Sequence, residues 1–351
     1  WKSSLAYPLL TYTEKNFVKQ KALSFSGEQK EISVKTIYRD EVTARAGYAA
    51  ERGGCVGVIV NTVRKAQEIA AELQSAFPKA EVIIMHAQFI MTDRAKREEQ
   101  ILKRVGKHST PESRRGLIIV GTQVLEQSLD LDFDLMITEL CPMDLLLQRT
   151  GRLHRHNRVR PQGLETACCF VLDETDDSFD SGSAAIYGEW LLMRTRALLS
   201  NKLTIPSDIP LLVQRVYDEN DDRMLGELTE GMESAQEEYV KKTKKKERNA
   251  CNWLIGKPSE RKGKSLDGWL DNAIGLSSEQ AGERAVRDGD PSIDVIALMR
   301  DAEGQIHTVS DECERVIPAD RPPSREEALL IARQKLRLPG FFGRRWNIDS
   351  T

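Results

Sequence analysis

Between residues 31 and 172, short apolar runs alternate with segments of helical period, and this alternation restricts the fold more than any other property of the chain. Glu31–Tyr38 alternates through Ile32 and Val34, and Val56–Asn61 is a β-branched run. Val82–Met85, Leu117–Val120, Leu135–Thr138 and Ala167–Leu172 are further strand-length runs. Runs this short and this apolar belong to strands of a parallel sheet covered on both faces. The crossovers between them read as helices. Ala66, Ile69, Ala70, Leu73 and Phe77 recur every three or four residues, and Pro78 closes that segment. Thr92–Arg104 predicts a charged helix with Thr92 as its cap and Glu98 and Glu99 outward, and Pro142 opens another helix through Leu145–Leu147. The expectation is one α/β domain over residues 28–172.

The flanks differ. Residues 1–27 read as an interdomain segment and residues 173–264 as a linker. The linker begins with the acidic loop Asp173–Asp180 and continues with a helix over Ile186–Leu199 and an extended stretch marked by Pro206 and Pro210. A short helix over Leu211–Tyr217 and a charged helix over Met224–Lys246, ending in a lysine run, come next. Residues 265–351 predict a smaller α+β domain. There Ser292–Met299 and Gln305–Val309 pair around the turn Asp301–Gly304, and Glu326–Leu336 is a closing amphipathic helix. A length of 351 residues accommodates such a plan. No stretch approaches the roughly 20 apolar residues that span a bilayer, so a soluble chain with no membrane partner is expected. Six cysteines without C-x-x-C spacing favour a reducing compartment, the cytoplasm by default. The net charge of -3 does not announce a nucleic-acid binder, so any such binding has to come from local patches. The chain starts with Trp1 and no signal layout, and is expected to begin inside a longer protein.

The most informative stretch is Gln148-Arg149-Thr150-Gly151-Arg152-Leu153-His154-Arg155. Arg152 and Arg155 lie three apart, which on a helical turn projects both to one side, and Gly151 permits close backbone approach. Two guanidinium groups so arranged suit a polyphosphate, because they are always charged, present a planar fork of donors and can stabilise charge developing on a transferred phosphoryl group. Gln148 can orient water or a phosphate oxygen beside them. An Arg-rich helix end is also what a solvated helix C-terminus looks like.

With this pattern the chain resembles a superfamily 2 helicase, whose sixth motif is Q-R-x-G-R-x-x-R. A fifth motif matches Val120-Gly121-Thr122-Gln123-Val124-Leu125-Glu126-Gln127-Ser128-Leu129-Asp130, and a fourth matches Val58-Ile59-Val60-Asn61-Thr62-Val63-Arg64-Lys65-Ala66. Met85-His86-Ala87-Gln88-Phe89, followed by Asp93-Arg94 and Glu98, also fits. The wording is closest to the helicase-nuclease of type I CRISPR systems, and Tyr7-Pro8-Leu9-Leu10-Thr11, Ile205–Tyr217 and Val286–Ile296 resemble that branch too. The resemblance implies the second RecA-like helicase domain, a linker helix and a C-terminal accessory domain that lids the DNA channel. Arg152 and Arg155 would be arginine fingers, Gln148 would contact the terminal phosphate of ATP, and Asp130 would face the ribose, with Gly151 in the same site. Asn61, Thr62, Thr122 and Gln123, with His86 and Arg94 as weaker candidates, would contact single-stranded DNA. Short hydroxyl and amide side chains suit phosphates without reading sequence. Asn61 and Thr122 are equally reasonable as helix caps.

The same resemblance implies ATP and Mg²⁺, with the Mg²⁺ ligands on a first RecA-like domain that carries G-x-x-x-x-G-K-[ST] and D-E-x-H. Neither pattern occurs here. Pro258–Ser265 and Asp311–Glu314 are imitations at the wrong end, and none of the five histidines precedes an Asp as a nuclease of this family needs. A metal site from His154, His156, Cys168 and Cys169 is disfavoured, because His-x-His on a helix faces two ways. The partners implied are single-stranded DNA, the first RecA-like and nuclease domains, and an RNA-guided surveillance complex. Two other readings stay open: a non-catalytic DNA- or protein-docking module with a helicase fold, in which Lys241–Lys246 anchors nucleic acid, and part of another superfamily 2 helicase, such as one acting on RNA.

Overall fold

The computed structural model describes residues 4, 6–24, 27–126, 129–173, 179–220, 231–251, 292–309, 315–318 and 320–339. The chain divides into two units, Trp1–Met232 and Glu233–Thr351.

The first unit is built on a seven-stranded sheet. Its strands are β3 (Lys30–Ile37), β4 (Val56–Ile59), β5 (Glu81–Met85), β6 (Leu117–Gly121), β7 (Leu135–Glu139), β8 (Cys168–Leu172) and β9 (Lys202–Ile205), in the order β5-β6-β4-β7-β8-β3-β9. All neighbours run parallel except β9, which pairs antiparallel with β3 through Ile32 and Leu203. The helices are α1 (Glu41–Glu51), α2 (Val63–Ala76), α3 (Met91–Val105), α4 (Pro111–Arg114), α5 (Met143–Thr150), α6 (Ser181–Tyr187), α7 (Glu189–Leu198) and α8 (Ile209–Tyr217).

Strand period splits the core in two. Val56, Val58, Ile118, Val120, Leu135 and Ile137 pack with Val42 and Ala46 of α1 and Ile69 and Leu73 of α2. On the other face Ile59, Ile83, Ile119 and Met136 pack with Ile101 of α3, Leu146 of α5, Leu192 of α7 and Val216 of α8. Helices therefore cover both faces, as the apolar runs require.

Several boundaries differ from the sequence reading. The domain does not stop at residue 172: β9 supplies the seventh strand, and α7 and α8 seal one face of the sheet, so the expected linker of 173–264 is in part domain core. Buried Arg194 ties α7 to the end of α8 by donating to the carbonyls of Arg215, Val216 and Asp218. Thr92 is not a cap, since α3 begins at Met91 and the buried Thr92 hydroxyl has no hydrogen-bond partner among the described residues. Residues 1–27 are more than a connector, because β1 (Leu9–Glu14) and β2 (Phe17–Ala22) form an antiparallel hairpin.

In the second unit, α9 spans Met232–Cys251, beginning at the boundary and including the lysine run. The expected hairpin forms from β11 (Leu298–Arg300) and β12 (Ile306–Thr308), with β13 (Val316–Ile317) beside it. The preceding β10 (Ser292–Ile296) instead pairs with β14 (Lys335–Pro339), which takes the end of the predicted closing helix and confines α10 to Arg325–Arg333. The segments 258–265 and 311–314 lie outside the described residues. Among the described residues no helix is long and apolar enough to cross a membrane.

Candidate nucleotide and nucleic-acid site

Ligands of open α/β sheets bind beyond the carboxyl ends of the strands. Here β5, β6, β4 and β7 are neighbours, so the residues immediately after each strand lie along one edge. In that order stand His86, Thr122 with Gln123, Asn61 with Thr62, and Leu140. Three motifs far apart in sequence thus meet by strand order alone.

The structure separates their roles. Thr62 is half-buried and caps α2, its hydroxyl accepting from the Lys65 amide at 3.3 Å. Gln123 donates to the Asn61 carbonyl at 3.1 Å and to the Tyr187 hydroxyl at 2.9 Å. Thr122 is buried, and its amide donates to the Met85 carbonyl at 3.2 Å. That approach needs Gly121, where a Cβ would stand 2.4 Å from the Met85 oxygen. The Asn61 side chain is turned inward and is 2% exposed. Its amide donates to the Leu140 carbonyl at 2.8 Å and the Ser183 hydroxyl at 2.9 Å, and its oxygen accepts from Arg149 at 3.2 Å. The Asn61 side chain is therefore neither the helix cap nor an open DNA contact; it fixes the turn that presents Thr62. Glu139 holds the same turn, accepting from the Asn61 amide at 2.7 Å, from Lys65 at 2.6 Å and from Ser183 at 3.1 Å.

His86 is buried and stacked on Phe89, centroids 4.2 Å apart. Burial, helped by nearby Arg97, lowers its pKa to about 4, so it is neutral at pH 7. The cationic group here is Arg97, over the Phe89 ring at 4.4 Å, which the sequence reading missed. Arg94 pairs with Glu98 at 2.9 Å.

The motif around Arg149 does not run along one helix, because α5 ends at Thr150 with Gly151 as its C-cap. A Cβ on Gly151 would meet the Gln148 carbonyl at 3.1 Å. Gln148 is exposed at the end of α5, whereas Arg152 and Arg155 extend from the loop beyond it toward Glu126 and Asp130. Lys30 fixes that loop by donating to the Leu153 carbonyl at 2.5 Å, and burial lowers its pKa to about 8.

Fully buried Arg149 is the hub that the sequence reading passed over. It donates to Glu126 at 2.6 Å, the Thr138 hydroxyl at 2.8 Å, the Glu139 carbonyl at 3.1 Å, and Asn61 and Tyr187 at 3.2 Å each. Helical spacing from Leu146 puts position 149 on the inward face of α5, a signal available in the sequence. Glu126 joins the two halves of the site: its carboxylate binds Arg149, and its carbonyl accepts from Arg152 at 2.9 Å.

Among the described residues the buried Arg152 Nε has no hydrogen-bond partner. Burial and the neighbouring Arg155 charge both lower its pKa, and an anion placed between the two would relieve that repulsion. Arg155 donates to Asp130 at 2.5 Å, and His156 lies 3.2 Å from the same carboxylate. Partial burial opposes ionisation of Asp130, yet the Arg155 hydrogen bond and the His156 charge hold its pKa below the usual range. The pair is half-exposed and cheap to part. These residues fit the phosphate portion of a nucleotide.

Behind them, buried Asp132 and Asp134 pin the loop through Arg160 at 2.9 and 2.7 Å, and Arg114 reaches Asp134 at 2.9 Å. His154 and His156 are in this loop, not on a helix. The His154 Nε2 lies 3.0 Å from the Asp134 carbonyl, and Cys169 is in the core. Among the described residues no group of His, Cys, Asp and Glu is arranged to hold a metal ion.

Residues 52–158 match the family description "CRISPR-associated nuclease/helicase Cas3, C-terminal", and residues 287–351 match "Cas3 C-terminal domain". A CRISPR-associated nuclease/helicase Cas3 from Streptococcus thermophilus is 37% identical over 99% of this chain and 38% of its own length. A CRISPR-associated endonuclease/helicase Cas3 from Thermus thermophilus is 32% identical over 82% of this chain and 36% of its own length. Among solved structures, T. fusca Cas3 with ADP superposes with a TM-score of 0.76 at 27% identity, covering 96% of this chain and 40% of that one. A crystal structure of a CRISPR-associated protein gives 0.79 at 28% identity, over 95% and 38%. The chain spans less than two-fifths of the length of these two curated relatives, and corresponds to their C-terminal portion. The chain belongs to the CRISPR-associated nuclease/helicase Cas3 family.

Proposed function

We propose that this chain is the C-terminal part of an ATP-dependent single-strand DNA translocase and helicase-nuclease acting in type I CRISPR interference. Within it, Arg152, Arg155 and Gln148 form the arginine wall of the nucleotide cleft, with Asp130 at its edge. Thr62 and Gln123 line one side of the DNA groove, where short polar side chains bind phosphates without reading bases, and buried Thr122 supports that edge from within. Asn61 and Arg149 position that groove from beneath it. The observation that carries this reading is the single Glu126, which binds Arg149 under the DNA motifs and Arg152 in the phosphate site. A shift of the loop 122–126 is thereby transmitted to both sites.

ATP supplies the transferred phosphoryl group, a role consistent with the solved Cas3 structures that contain ADP, ATP or an analogue. Arg152 and Arg155 stabilise the charge that develops on it. The Mg²⁺ ligands, the nuclease metal, and the first RecA-like and nuclease domains are assigned to the rest of the protein, and an RNA-guided surveillance complex delivers the DNA. In the full-length protein, Arg152→Ala and Arg155→Ala are each expected to lower DNA-stimulated ATP hydrolysis roughly a thousandfold while leaving single-strand binding nearly intact. Hydrolysis within about threefold of the parent would overturn the assignment.

A further inference from the structure

The β1–β2 hairpin exposes four large apolar side chains, Leu10, Tyr12, Phe17 and Val18, within ten residues of chain. Every residue from Leu10 to Lys19 is exposed, and Phe17 is 72% exposed. In the antiparallel register Leu10 faces Lys21, Tyr12 faces Lys19, and Glu14 faces Phe17. Directly opposed residues share a face, so one side of the ribbon carries Leu10, Tyr12, Phe17, Lys19 and Lys21 together. Lys19 is ion-paired with Glu14 along that face. The hairpin closes through Lys15 and Asn16, at φ 47° and 68°. Such turns ordinarily take Asn-Gly, and an L-residue with a long side chain at the first position is unfavourable. What that choice provides is a third lysine at the tip, leaving three lysines against one glutamate on an aromatic ribbon.

Two-stranded hairpins are marginal by themselves, and a wet aromatic face marks a contact. Alternating rings and lysines match single-stranded nucleic acid, whose unpaired bases stack on aromatic side chains while its phosphates meet ammonium groups. We infer that the ribbon of residues 9–22 is a second single-strand DNA contact, with Tyr12 and Phe17 stacking on bases and Lys15 and Lys21 on phosphates. This rests on the proposed DNA-translocating function and extends the strand's path beyond the carboxyl edge of the sheet.

The test is fluorescence anisotropy of a labelled oligothymidine with the 351-residue chain. Tyr12→Ala/Phe17→Ala is expected to weaken binding at least about tenfold without changing the melting temperature. Replacing Phe17 by a photo-crosslinking benzoylphenylalanine should yield a DNA adduct. Unchanged affinity in the double variant, while Thr62→Ala/Gln123→Ala weakens binding, would overturn the hairpin contact and leave the groove standing. Crosslinking of position 17 to protein and not to DNA would show an interface between polypeptide segments and equally overturn it. No single-strand binding by the parent chain would remove the functional reading and the hairpin contact with it.

Discussion

Removing the Arg149 guanidinium would leave the Glu126 carboxylate buried without its counter-charge and the Asn61 side-chain oxygen without the donor it accepts from. Loss of one partner of a buried pair costs about 3–5 kcal/mol, so Arg149→Ala is expected to lower urea-unfolding stability by that amount. A loss below about 1 kcal/mol would mean that the hub is dispensable. Arg155 and Asp130 are the contrasting case. Their pair is half-exposed, and Asp130→Asn should change stability by less than about 1 kcal/mol in the same assay. His86 adds a pH dependence. Its folded pKa of about 4 lies below its ordinary 6.5, so the unfolded chain binds the extra proton first. Stability is then full above about pH 6.5 and falls as pH drops toward 4, by at most about 3 kcal/mol. His86→Phe should flatten that part of the stability profile. An unchanged slope would show that the imidazole is not the group responsible.

At the level of elements, β4 to β8 were legible because parallel strands covered on both faces are short and mostly apolar, and β3 because it alternates through Ile32 and Val34. Two kinds of element were not. The edge strand β9 is only Lys202–Ile205, and its place beside β3 depends on a chain return that no local pattern records. The hairpin β1–β2 lacks the alternation of a half-buried strand, since both its faces are largely wet. In the candidate site, the residue types suggested a phosphate role but not the local shape: Arg152 and Arg155 extend from a loop pinned by Lys30, Asp132 and Asp134, none of them near in sequence to Gln148–Arg155. Asn61 was misplaced for a related reason, because only tertiary contact reveals that its amide is satisfied from inside. Gly121 sets how closely β6 approaches β5 where the loop of Thr122 and Gln123 starts. Gly121→Ala forces a Cβ against the Met85 oxygen and is expected to cost about 1–3 kcal/mol, read as a lowered urea midpoint. A neutral outcome would mean that the strands can separate there without consequence.

For the whole molecule, near-neutral charge and ordinary composition say little about the proposed sites, whose cations are concentrated in one loop and, on the further inference, one hairpin. On the proposed function, the two arginines serve a phosphate brought by another domain: burial and the Arg155 charge lower the Arg152 pKa, and the buried Arg152 Nε has no hydrogen-bond partner among the described residues. On the proposed function, this chain is half of a motor. The most direct test is single-strand-stimulated ATP hydrolysis by the purified 351-residue chain, alone and after addition of a fragment bearing the first RecA-like and nuclease domains. Half a motor should show almost no turnover alone, restoration on mixing, and loss of the restored activity when the chain carries Arg155→Ala. Robust hydrolysis by the chain alone, or undiminished activity of the mixture with Arg155→Ala, would contradict that division of labour.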